Sequence, residues 1–239
     1  MADPVRLAET FVDEFAESVG DRIRAAALFG SAARGEWVEG VSDVNVVVLV
    51  DRIDGRLLER GAPAAKAAVG RGLTPLLMAV DEWGRAADVF AIELADMRDA
   101  CRTLRGDDPA ASASFVQPSL LRLQAERELR AKLVHLHAGM LMGADDHRRL
   151  GQLLVHALPS FATYLRAALR LAGDPVPPSM AGVITAGCAL VGADAAPFLD
   201  VNGARTGGNP LEVRLGDGIA DEFNTAAEQL AAYIDAFGR

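Results

Sequence analysis

The chain has 239 residues, 51% of them hydrophobic, and a net charge of -9. This supports one large domain or two small ones with an ample core, and it excludes a global electrostatic attraction to nucleic acid. No run of about eighteen uncharged apolar residues occurs, and the acidic, amphipathic "MADPVRLAETFVDEF" lacks the regions of a signal peptide, so a cytoplasmic protein without a membrane span is expected.

Taken in order, Asp3-Pro4 predicts an N-cap with proline at the first helical position. The helix should run to about Gly20, with Leu7, Phe11, Phe15 and Val19 on one face. "IRAAALFG" predicts a buried strand, and "SAARGEW" a short helix after the Gly-Ser turn. "DVNVVVLVD" is β-branched and predicts a central strand. "RLLERGAPAAKAAVGR" predicts a helix interrupted near Pro63. "LTPLLMAVD" predicts a third strand and "DVFAIELAD" a fourth. The segment Arg105 to Ser119 reads as a linker. A long helix follows, with Leu121, Ala125, Leu129, Leu133, Leu136 and Met140 at helical spacing. Further helices are expected around 146–173, 178–192 and 219–237, with a Gly-rich loop from Asp200 to Pro210. The expected class is therefore α/β plus all-α: a small mixed sheet with flanking helices over residues 1–110, then a helical bundle over 115–239. Cys101 and Cys188 read as buried reduced thiols.

The chemistry concentrates in "LFGSAARGEWVEGVSDVNVVVLVD", Leu28 to Asp51. Alternation on a strand puts Asp43 and Asn45 on one face and Val44 on the other. If Val44 is buried against helices, the polar pair faces a cleft. The Gly30-Ser31 turn can offer free N–H groups and the Ser31 hydroxyl to phosphate oxygens, with Ser42 just ahead of the pair. A phosphate-gripping turn beside hard oxygen ligands suits a Mg²⁺-nucleotide.

These residues, Gly30, Ser31, Arg34, Gly35, Ser42 and Asp43, resemble the signature of the DNA polymerase beta-type nucleotidyltransferase superfamily. The helical C-terminal layout is similar to that of aminoglycoside nucleotidyltransferases of the kanamycin type. The resemblance implies transfer of a nucleoside monophosphate from an NTP to an acceptor hydroxyl on a small molecule or protein. Two Mg²⁺ ions held by three carboxylates would assist. It assigns Gly30, Ser31, Arg34 and Ser42 to the nucleotide, and Asp43 and Asn45 to the first two metal-binding positions. The third acid comes from a later strand, with Glu93 the first candidate and Asp88 the second.

Asn45 departs from that pattern. An amide oxygen can ligate Mg²⁺ but carries no charge and cannot bridge two cations. With Glu93 counted, the local charge falls from about -3 to -2. Three readings stay open: an enzyme using one metal, a weakened two-metal enzyme, or a catalytically silent nucleotide-binding or regulatory module of antitoxin-like kind. A homodimer also stays open.

Other candidates have plainer readings. His135 and His137 do not share a helix face, and Asp145, Asp146 and His147 read as a helix-start cluster. Arg122, Arg127 and Arg130 read as a solvated, salt-bridged face.

Overall fold

The computed structural model describes residues 3–112, 116–216 and 218–238. The chain divides into two compact units, Met1–Gln117 and Pro118–Arg239.

In the first unit, helix α1 (Pro4–Val19) starts where the sequence predicts. The Asp3 carboxylate accepts from the backbone N–H groups of Val5 and Arg6 at 2.9 and 3.3 Å, a cap of about 1 kcal/mol. Strands β1 (Ile23–Phe29) and β2 (Val44–Val50) follow, then helix α2 (Gly55–Val69) and strand β3 (Leu73–Ala79). Pro63 sits inside α2, which continues through it, so the predicted interruption does not occur. The close packing of α2 on α1 rests on Gly61, where an added β-carbon would lie 2.3 Å from the Phe15 ring.

The rest of the unit departs from the sequence reading. Short helix α3 (Val80–Trp83) and a 3₁₀ turn (Ala86–Asp88) lead to helix α4 (Ala91–Asp99). "DVFAIELAD" is therefore not a strand. The fourth strand is β4 (Cys101–Gly106), followed by short helix α5 (Pro109–Ser112), so much of the expected linker is ordered structure. The remainder of that linker includes residues 113–115, which lie outside the described residues.

The sheet order is β3-β2-β1-β4, with β1 antiparallel to β2 and β4, and β2 parallel to β3. The two buried strands β1 and β2 are central. β3 is an edge strand, which is where Pro75 is tolerated. Ala26, Leu28, Val44, Val46, Val48 and Val50 share one core with Phe11, Val12, Phe15 and Leu57. Val44 is thus buried against α1 and α2. By alternation, Asn45, Val47 and Leu49 face the opposite side. There α3 contacts β2, α5 contacts β1 and α4 contacts β4.

The far end of β2 is tied by Arg22. Its Nε meets Asp51 and its Nη1 meets Asp54, each at 3.1 Å, and Nη2 donates to the Arg52 carbonyl. Asp54 also caps α2 through the Leu57 N–H at 2.9 Å. The Arg22 hydrogen bond, then the Leu57 N–H, lower the Asp54 carboxyl from 3.8 to about 2. A carboxyl depressed on folding stabilises above its unfolded value and loses that contribution as pH falls through the folded one. Arg22→Gln should therefore melt below wild type by a constant margin above about pH 4. That margin should shrink as pH falls toward 2, and melts across pH 2–6 check it.

The second unit is helical: α6 (Pro118–Met142), α7 (His147–Ala172), α8 (Met180–Val191), α9 (Ala196–Gly207) and α10 (Ile219–Ala236). The predicted loop from Asp200 is instead largely the C-terminal part of α9. Asp146 caps α7 through the Arg149 N–H at 3.0 Å, the helix-start role expected of its cluster. The core gathers Phe161, Phe198 and Phe223, with ring centroids 4.5–6.0 Å apart. Arg122 pairs with Glu126 at 2.6 Å, and Arg130 with Asp235 at 3.5 Å.

Among the described residues, no helix is long and apolar enough to cross a membrane. Cys188 is buried and Cys101 half-buried, and burial pushes both thiols up to about 11.

Candidate functional site

β1 ends at Phe29, whose strand partner is Asn45. This pairing sets the Gly30-Ser31 turn beside the head of β2. Gly30 has φ +75°, and a β-carbon there would sit 3.2 Å from Asn45 Nδ2. Glycine is required twice over, for the backbone angle and for the approach of the amide.

The residues after Gly30 form turns rather than the predicted short helix. The Arg34 N–H donates to the Gly30 carbonyl at 3.2 Å, and the Glu36 N–H to that of Ser31 at 2.9 Å. The Gly35 N–H reaches the Ala32 carbonyl at 3.4 Å. Among the described residues, the N–H groups of Ser31, Ala32 and Ala33 take no part in these backbone bonds. A first turn leaves such donors open.

Ser42 closes the loop that brings the chain back. Its hydroxyl accepts from the Val38 N–H at 3.2 Å, and its own N–H donates to the Val38 carbonyl at 2.8 Å. Asp43, exposed, follows immediately and precedes β2. The Val44 N–H donates to the Gly72 carbonyl at 2.9 Å, fixing the head of β2 against the turn before β3.

Arg34 has an unexpected partner. Its Nη2 lies 3.2 Å from Asp96 Oδ2 and 3.3 Å from the Asp96 carbonyl. The two side chains are only 9% and 11% exposed. The guanidinium therefore ties the motif turn to α4. Asp96 is the residue that sequence reasoning missed. It stands three residues after Glu93, one helical turn on, a relation visible only once the segment is known to be helical.

The two candidates for the third acid both leave the sheet. Glu93 lies in the first turn of α4, half-buried, and Asp88 in the 3₁₀ turn, exposed. None of the four strands carries an aspartate or glutamate. The later strand that does lie beside β2 is β3, and its residue opposite Asn45 is Thr74. Among the described residues, no three His, Cys, Asp or Glu side chains gather closely enough to hold a metal ion.

The oxygen-bearing side chains are thus Asp43, one residue before β2, the Asn45 amide on β2 and Thr74 on β3, with Glu93 on a separate helix. They do not fit the three-carboxylate, two-Mg²⁺ centre that the motif implies. Hard divalent cations take charge from carboxylates, and here the sheet end supplies one.

Residues 8–96 match the family model of the nucleotidyltransferase domain. No curated protein sequence matches the chain. The fold is similar to that of the spectinomycin adenyltransferase AAD(9) from Enterococcus faecialis, crystallised with ATP and spectinomycin. That likeness has a TM-score of 0.62 at 12% identity and covers 95% of this chain and 98% of the other. Strand order, motif turn and family match agree on the N-terminal unit: its residues 8–96 carry the similarity to the nucleotidyltransferase domain.

Proposed function

We propose that the chain binds a nucleoside triphosphate through its nucleotidyltransferase domain, and that it has lost the metal-dependent transfer step. The observation that carries this reading is the absence of any carboxylate from the four strands. The gripping turn is kept. The N–H groups of Ser31, Ala32 and Ala33 and the Ser31 hydroxyl can receive phosphate oxygens. The Asn45 amide adds a donor where a carboxylate would only accept. Asp96, through Arg34, holds the turn in place.

A second reading is supported by the likeness to an adenyltransferase across both units. It is a weakened Mg²⁺-dependent transferase acting on a small-molecule hydroxyl, with Asp43, Asn45 and Glu93 sharing one ion. Calorimetric titration with each NTP, in EDTA and in Mg²⁺, separates the two, run beside a labelled-nucleotide transfer assay. The first reading expects comparable affinity in both buffers and no transfer. Binding confined to Mg²⁺, with pyrophosphate released, would move the assignment to the second. No NTP binding in either buffer would leave a regulatory, antitoxin-like role.

A further inference from the structure

We infer that Thr74 stands in the vacated third ligand position of the metal centre. Asn45 and Thr74 would then form a neutral rung where two carboxylates once completed the set begun by Asp43. The register carries this. Asn45 and Thr74 are direct partners in the parallel β2–β3 pair, so their side chains share a face on strands about 4.8 Å apart. Asp43 precedes Asn45 by two residues and stands immediately before Val44, the first residue of β2, so strand spacing carried one step back puts it beside that face. These three positions are neighbours at one end of the sheet, whereas Glu93 belongs to α4. Mg²⁺ holds its oxygens at about 2.1 Å, so ligands to one ion must converge from adjacent positions, as carboxylates at 43, 45 and 74 could.

The neutral rung has a consequence for the ligand, and here the inference rests on the nucleotide-binding reading above. Three carboxylates would repel a triphosphate unless metal stood between them. One carboxylate, an amide and a hydroxyl leave far less charge to screen, and the amide and hydroxyl can both donate. The ligand class that fits is a nucleoside triphosphate without its metal.

The space for reversal exists. Thr74 is exposed, so a longer acid there meets solvent, and aspartate has nearly the shape of Asn45 beside Gly30. Four proteins test the inference: wild type, Asn45→Asp, Thr74→Glu and the double variant, each titrated with Mg²⁺ alone and melted with and without it. Wild type should ignore millimolar Mg²⁺. The double variant should melt lower in EDTA, because its clustered carboxylates repel, and recover in Mg²⁺ by mass action. It should bind Mg²⁺ about tenfold or more tightly than either single variant, because affinity follows ligand charge. Should the double variant not fold, Asn45→Asp with Thr74→Asp gives the same readout with a shorter side chain.

A double variant that binds Mg²⁺ no better than Asn45→Asp alone would overturn the assignment of Thr74. So would a wild type that binds Mg²⁺ as well as the double variant. ATP binding by wild type in EDTA is measured in parallel. Its failure would end the metal-free nucleotide reading and leave the ligand position to be judged on the Mg²⁺ result alone.

Discussion

Replacing Arg34 with methionine is expected to destabilise the N-terminal unit by about 3–5 kcal/mol, because it removes the guanidinium that pairs with the buried Asp96 carboxylate. The pair is 3.2 Å apart, with side chains 9% and 11% exposed, so solvent offers little compensation. Asp96→Asn should cost a similar amount by leaving the guanidinium uncompensated. The double variant should cost clearly less than the two singles added, since the interaction between the two side chains is then lost only once. Denaturant unfolding of the four proteins gives the coupling directly. The cost should change little in high salt, unlike that of the exposed Arg85–Asp81 pair at 3.7 Å. Additive losses would mean that the two side chains act separately. Because the pair ties the motif turn to α4, Arg34→Met should also weaken nucleotide binding without any phosphate contact by Arg34 itself.

The second large effect lies in the helical unit. Phe161 is fully buried and touches Tyr164, Phe198 and Phe223. Phe161→Ala should cost about 3–5 kcal/mol, from lost transfer energy and the cavity left behind. Phe161→Leu keeps most of the volume and should cost markedly less. Denaturant midpoints measure both. Equal losses would show that ring geometry rather than volume holds this cluster.

The elements that the sequence exposes are those with one clean signal. The Asp3-Pro4 cap and the apolar stripe of α1 name a helix, and the unbroken valines of β2 name a central strand. α4 carries no such signal. Ala91, Ile92, Leu94, Ala95, Asp96 and Met97 are all buried, so its apolar residues follow no 3.6-residue stripe and the short run passes for a strand. β4 fails in the opposite sense: "CRTLRG" is largely exposed edge and shows no alternation. α9 hides behind Gly203 and Gly207. It forms because Asp194 accepts from the Ala196 N–H and because Phe198 and Val201 are buried. At the candidate site, the turn and the strand head are local and therefore legible. The Arg34–Asp96 pair spans 62 residues, and the Asn45–Thr74 register depends on which strand lies beside which. Neither is written in any short stretch.

Pro75 bears on how this protein behaves at high concentration. An open sheet edge invites a strand from another copy, and β3 is such an edge. Pro75 has no N–H to give, so a strand arriving there meets a gap in the ladder. The other edge, β4, shows exposed Arg105, which two copies docking edge to edge would bring together, beside Arg102, itself paired with Glu9 at 3.1 Å. Both flanks of the sheet thus discourage growth into fibres, by a missing donor on one side and by like charge on the other.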